Sequence, residues 1–303
     1  MTLNRSSQVT LIALLLTLLG ACSSGDNHST PDTAQSDDLA EDTQQQDTST
    51  DTHAPDVDDS DSKQPPLAGA LARCEKNTPL PESATYNEST RELVISCKSV
   101  TLHITPLTAS TLRLRYSGGV PDAAPDRTYA VVQAPDAELD TLAGGSDSGI
   151  RLCSPGMSID VDEESCRITV YDIAGESIVS DGTAGGYFEG PGAAGDAGSW
   201  GVGVRRKVHP KEHYFGFGER NGTLDKRGAI MHFWNSDVPG YGPQQDPLYQ
   251  SIPFFVGLKG YTAYGVLTDN SYRMRADMGA SDGEHYTLSA HGGEIDQYVI
   301  TGP

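Results

Sequence analysis

Glu92–Tyr116 reads ELVISCKSVTLHITPLTASTLRLRY, and its alternation decides the fold. Apolar and polar residues trade places through Glu92 to Cys97, Val100 to Thr105 and Thr111 to Tyr116. A period of two turns one face of each run toward a core and the other away from it. No long stretch from Leu67 onward shows helical spacing. Comparable short runs recur at Thr128 to Gln133, Met157 to Val161 and Arg167 to Asp172, then at Tyr214 to Gly218, Ile252 to Leu258, Ala263 to Thr268, Ser271 to Met278, Glu284 to Ala290 and Glu294 to Thr301. Gly, Pro and Asp separate them. Many short strands at regular spacing predict an all-β fold, an antiparallel β-sandwich, over 67–303. Asp162-Glu163-Glu164-Ser165 and Ala174-Gly175 read as turns that bracket one of these strands. The Gly/Ala-rich Gly182 to Gly203 reads as a long mobile loop, and it lacks the Gly-Lys-Ser/Thr ending of a phosphate-binding loop.

Before the sandwich the chain changes character twice. Arg5 precedes the apolar stretch Val9 to Leu19, which is too short to span a bilayer, a task for roughly 20 apolar residues. Leu19-Gly20-Ala21-Cys22 resembles the lipobox of bacterial lipoproteins, which implies a signal peptide over 1–21 and lipidation of Cys22. Residues 22–66 read as an acidic, disordered tether: Asp26 to Ser62 holds twelve acidic residues and no Lys or Arg. Such a stretch cannot bury enough apolar surface to offset the entropy of folding. Export with a lipid anchor is the expectation, at the outer membrane, because Ser23 rather than Asp follows the cysteine, a rule taken from enterobacterial lipoproteins.

The net charge of −21 is more than half due to the tether, so it says little about the folded part's ligand. The absence of a basic stripe argues against nucleic acid. Asp56-Val57-Asp58-Asp59-Ser60-Asp61 lacks the glycine and distal Glu of an EF-hand loop, and Pro210 spoils the four-residue spacing of His209 and His213, so no metal and no cofactor is expected. Cys74, Cys97, Cys153 and Cys166 permit two disulfides in an exported protein, with three connectivities open. The local pairing, Cys74 with Cys97 and Cys153 with Cys166, is preferred.

Aromatic residues concentrate between Tyr214 and Tyr272. Most fill a core, but Trp234, Tyr241 and Tyr249 stand among Asn, Ser, Asp, Pro and Gly in a predicted surface loop, a mixture suited to the apolar faces and polar edges of a sugar. Four segments here carry a resemblance: Tyr214-Phe215-Gly216-Phe217-Gly218-Glu219-Arg220, Phe233-Trp234-Asn235-Ser236-Asp237, Asp246-Pro247-Leu248-Tyr249-Gln250-Ser251-Ile252-Pro253-Phe254-Phe255, and Asp269-Asn270-Ser271-Tyr272-Arg273. Together they resemble the N-terminal, galactose-mutarotase-like β-sandwich of glycoside hydrolase family 31, the family of α-glucosidases and α-xylosidases.

The resemblance implies a role in binding an α-linked oligosaccharide or glycoside, with Asp237 and Trp234 as substrate-binding residues. Catalysis in that family belongs to a (β/α)8 barrel that follows the sandwich and takes around 250 residues. Retaining hydrolysis needs two carboxylates about 5 Å apart across a sugar-sized cleft. Tyr298 to Pro303 resembles the last strand before that barrel, so the catalytic pair is expected to be missing from these 303 residues. Trp234-Asn235-Ser236-Asp237 does not stand in for the family's Trp-x-Asp-Met nucleophile segment, because its flanks place it in the sandwich. His103, His232, His285 and His291 offer no match to the proton-transferring pair of a sugar mutarotase. The expected function is thus a carbohydrate-binding accessory domain, not catalytic by itself; a portion of an active exported α-glycosidase and a structural surface lipoprotein remain the alternatives.

Overall fold

Alternation becomes burial in the computed structural model, which describes residues 78–118, 128, 130–132, 135–136, 139–146 and 149–302. The predicted signal peptide, Cys22, the tether and Cys74 lie outside them. The strands are β1 (Ala84–Asn87), β2 (Glu92–Ser96), β3 (Thr101–Thr108), β4 (Thr111–Ser117), β5 (Leu142–Ser146), β6 (Gly149–Ser154), β7 (Met157–Val161), β8 (Ile168–Asp172) and β9 (Ser177–Ser180). They continue with β10 (Gly186–Pro191), β11 (Trp200–Lys207), β12 (Glu212–Gly216), β13 (Ile230–Phe233), β14 (Phe254–Lys259), β15 (Thr262–Thr268), β16 (Met274–Asp277), β17 (His285–Ala290) and β18 (Ile295–Thr301). No helix occurs among the described residues.

The strands form an eight-stranded sheet in the order β1-β2-β3-β4-β18-β15-β14-β12 and two five-stranded sheets, β10-β11-β17-β16-β13 and β5-β6-β7-β8-β9. Neighbours run antiparallel. On β3 and β4, Leu102, Ile104, Leu112, Leu114 and Tyr116 are buried while His103, Arg113 and Arg115 alternate on the other face. Tyr286 of β17 meets Tyr214 and Phe255 of the large sheet edge-on, at 5.5 and 5.6 Å between ring centroids. The β5–β9 sheet is tied to the other end, where Ser154 Oγ donates to the Ala109 carbonyl at 2.9 Å. One cluster of buried apolar side chains runs through all three sheets.

At the centre, Arg206 of β11 joins the three. Its guanidinium pairs with Asp181, which follows β9, and donates to Gln297 Oε1 of β18 at 3.1 Å and to the Tyr116 hydroxyl of β4 at 3.3 Å. Asp181 also accepts the main-chain N–H of Ile168 at 2.8 Å, and Gln297 donates to Thr268 at 3.1 Å. Burial pushes the Asp181 carboxyl above its ordinary pKa, opposed by the Arg206 charge and the Ile168 N–H.

Three expectations change. Gly182 to Gly203 is not a long loop: it supplies β10 and the start of β11. Its glycines serve packing as well as turning. A Cβ at Gly203 would lie 2.3 Å from Cζ of Phe188, the residue paired with it across the strands. Thr128 and Ala130 to Val132 are not strand. There the Thr128 hydroxyl donates to Asp269 and accepts the N–H groups of Ala130 and Val131 at 3.2 and 3.1 Å, a local pattern that competes with a ladder.

The preferred disulfide pairing is also corrected, because Cys97 is bonded to Cys166 with 5.7 Å between their Cα atoms. The β7–β8 turn folds back beside the end of β2, where Lys98 N–H donates to the Glu164 carbonyl at 3.2 Å. Spatial adjacency across two sheets overrides nearness in sequence. Cys153 is also in a disulfide, whose other half lies outside the described residues.

Candidate functional site

β12 ends at Gly216 and runs into Phe217-Gly218, three successive residues with φ of 117°, 66° and 73°. Left-handed backbone costs a residue with a Cβ roughly 1–2 kcal/mol, which makes Phe217 the exception that needs a reason. Its ring is buried between Phe255 at 5.2 Å and Phe233 at 5.7 Å, a gain of the same order or larger. The flanking positions need glycine for space too: a Cβ at Gly216 would stand 2.9 Å from the Phe254 carbonyl oxygen, and one at Gly218 3.0 Å from Ile252. This turn delivers Arg220 beneath the long loop that follows β13.

Arg220, whose side chain is only 3% exposed, is the hub of the site. Its Nη1 donates to Asp246 Oδ1 and to the His232 carbonyl, both at 2.6 Å, and its Nε to the Phe217 carbonyl at 3.3 Å. The guanidinium lies 4.3 Å from the centre of the Phe233 ring. Asp246 Oδ2 in turn accepts the His232 main-chain N–H at 2.7 Å and sits 2.9 Å from His232 Nδ1. Burial lowers the Arg220 pKa, and the Asp246 carboxylate partly restores it. Lys226 is lowered as well, by burial and then by the Arg220 charge.

Residues 234–253 contain no strand but are tied to themselves and to this hub. Ser236 N–H donates to the Leu248 carbonyl at 2.9 Å, and Leu248 is buried. The Tyr249 hydroxyl donates to the Val238 carbonyl at 2.7 Å, and Tyr241 packs edge-on against Tyr249 at 5.8 Å. Asn221 Nδ2 donates to the carbonyls of Gly242 and Gln245, each at 3.0 Å. Where the loop leaves β13 it borders a cavity of about 360 Å³, whose walls include Trp234, Asn235, Ser251, Asn270 and Tyr272.

Trp234, predicted to touch sugar, thus lines the cavity and is half exposed. Asp237, predicted beside it, is exposed on the same loop, is not part of the cavity wall, and makes no hydrogen bond to the described residues. The four histidines each face a different carboxylate: His103 Glu92, His232 Asp246, His285 Asp282 and His291 Asp196. Among the described residues no group of three or more His, Cys, Asp or Glu is placed to hold a metal.

Residues 101–277 match the glycosyl hydrolase 31 N-terminal galactose mutarotase-like domain. The chain belongs to glycoside hydrolase family 31. It is 34% identical over 177 residues to α-glucosidase 2 of Bacillus thermoamyloliquefaciens, covering 58% of this chain and 21% of that protein. It is 35% identical over 92 residues to the α-xylosidase XylQ of Lactiplantibacillus pentosus, covering 30% of this chain and 11% of that one. The fold is shared with a family 31 dextranase of Flavobacterium johnsoniae determined with isomaltotriose, at a TM-score of 0.63 and 22% identity, over 75% of this chain and 27% of the other. The chain therefore matches between 11% and 27% of the length of these enzymes.

The family 31 segments quoted from the sequence meet in space through residues whose roles were not assigned from it. Arg220 belongs to the first segment and Asp246 to the third, and their ion pair closes the gap between them. An Arg and an Asp twenty-six positions apart carry no periodic signal. Asn270 of the fourth segment donates to the carbonyls of Gly292 and Glu294 at 3.0 and 2.8 Å.

Proposed function

We propose that this sandwich is the sugar-binding N-terminal domain of a family 31 α-glycosidase, which holds an α-linked oligosaccharide or glycoside for a catalytic barrel and does not cleave it alone. The observation that carries the reading is the cavity beside the loop, where an exposed indole borders a wall of amides and hydroxyls. Indole against C–H faces with polar groups at the edge is the chemistry a sugar asks for. The relatives' names, α-glucosidase and α-xylosidase, and the dextranase's bound isomaltotriose support the same ligand class. Trp234 is assigned the stacking contact, and Asp237 a polar contact outside the cavity wall.

Maltose or isoprimeverose titrated into the purified chain is expected to quench Trp234 fluorescence, read in a Trp200→Phe background because there are two tryptophans. Trp234→Ala, followed by titration calorimetry because it removes the fluorophore, should weaken binding about tenfold, the value of one aromatic contact of roughly 1.4 kcal/mol. Silence in the titration would favour a structural lipoprotein. The same chain is expected to leave p-nitrophenyl α-glucoside intact; turnover abolished by a point substitution in these 303 residues would overturn the accessory role. A second reading, a portion of an active exported α-glycosidase, is favoured by the small share of each relative that the chain covers. A reading frame downstream of Pro303 that encodes a Trp-x-Asp-Met segment would support it.

In the same reading Cys22 bears lipid and residues 22–66 tether the sandwich outside the cytoplasm, at the outer membrane. Expressed in a bacterial host, the chain should incorporate labelled palmitate, and Cys22→Ser should abolish the label. Label retained by the variant would remove the anchor.

A further inference from the structure

We infer that Tyr272 is the second aromatic wall of a subsite for one uncharged pyranose ring, facing the same cavity as Trp234. The assignment rests on the sugar-binding reading and deepens it. Tyr272 is 54% exposed, yet it is held from below. Its main-chain N–H donates to Asn270 Oδ1 at 2.8 Å, while Asn270 Nδ2 clamps the opposite strand connection through Gly292 and Glu294. Its ring lies on Gly292 and Gly293: a Cβ at the first would stand 2.8 Å from Tyr272 Cε1, and one at the second 3.1 Å from Cδ2. Two consecutive glycines leave the space in which that ring rests. An exposed aromatic fixed by its own support loses little rotamer freedom when a ligand covers it.

The rest of the wall decides the ligand's charge. Asn235, Ser251, Asn270 and Ser271 contribute amides and hydroxyls, and the Ser251 hydroxyl has no hydrogen-bond partner among the described residues. Among the described residues, no Asp, Glu, Lys, Arg or His lines this cavity. Charged groups line a different one, about 340 Å³, where Arg220, Lys226 and Asp246 stand. A carboxylate or phosphate placed between Trp234 and Tyr272 would lose its hydration with no cation to replace it. A neutral pyranose has only hydroxyls to satisfy and two C–H faces to cover, and about 360 Å³ lies in the range of small-ligand sites.

The test uses the full chain with Trp200→Phe, titrated with methyl α-glucoside, methyl α-xyloside, glucuronic acid and glucose 6-phosphate. Neutral glycosides are expected to quench Trp234 and the two acidic sugars not to compete with them. Tyr272→Ala should weaken the neutral glycosides about tenfold, and Tyr272→Phe should leave affinity within about twofold, because the ring and not the hydroxyl makes the contact. Asn270→Ala, which keeps the ring but removes its support, should weaken binding with the order of preference unchanged. If Trp234→Ala, which removes the fluorophore and is therefore followed by titration calorimetry, weakens binding and Tyr272→Ala does not, the second wall is wrong and the sugar-binding reading stands. Acidic sugars that compete as well as neutral ones would overturn the uncharged subsite. Failure of every sugar to bind would overturn both.

Discussion

Asp181→Ala is expected to destabilise the sandwich by about 3–5 kcal/mol, because it leaves the Arg206 guanidinium buried without its counter-charge. Arg206 is 1% exposed and sits where β11, β4, β18 and the end of β9 meet, so water cannot reach it without parting the sheets. Its remaining partners, the Tyr116 hydroxyl and Gln297 Oε1, are neutral. Replacing both members, as Asp181→Leu with Arg206→Met, should recover most of the loss, since two buried charges and their desolvation disappear together. Urea melts of the three proteins check this. A double variant no more stable than the single one would show that Asp181 matters for its Ile168 contact and shape, not for charge.

Arg220→Ala should cost about 3 kcal/mol and, unlike the first substitution, should act on the site. Hydrogen bonds to charged groups contribute roughly 1.5–3 kcal/mol each and a cation over an aromatic face about 1 kcal/mol, with overlap among contacts made by one side chain. Removing the guanidinium frees Asp246, and with it the tie between the loop over 234–253 and the Gly216-Phe217-Gly218 turn. Trp234 follows Phe233, the ring Arg220 stacks on, so sugar affinity should fall more than tenfold. Arg220→Lys should rescue little, because an ammonium cannot donate in a planar fork to Phe217, His232 and Asp246 while lying on Phe233. Limited proteolysis should find new cleavage within 234–253 in both variants. A lysine variant that resists protease and binds sugar like the parent would show the loop to be self-supporting.

Legibility differed by kind of contact. The strands around Leu102, Leu112 and Leu114 were readable because the side-chain period of a strand is written in consecutive residues. β10 and the start of β11 were not, because Gly201 and Gly203 of β11 look like loop composition until Phe188 of β10 is seen lying over one of them. The strand expected after Thr128 failed for the opposite reason: β-branched residues suggested a ladder, while the Thr128 side chain supplied a turn. Trp234 could be picked out as an aromatic among loop residues. Tyr272 could not be assigned a role, because what marks it is two glycines twenty residues away.

The amino-acid sequence by itself determined an all-β sandwich, the family 31 resemblance and the loop that carries Trp234 and Asp237. These rest on local alternation and on contiguous segments, which need no knowledge of what packs where. The Cys97–Cys166 bond, the Arg206–Asp181 pair, the Arg220 hub and the cavity between Trp234 and Tyr272 were decided only by tertiary structure. Each joins residues distant in the chain, and the energy that selects such partners comes from burial, which exists only once the sheets have closed on one another.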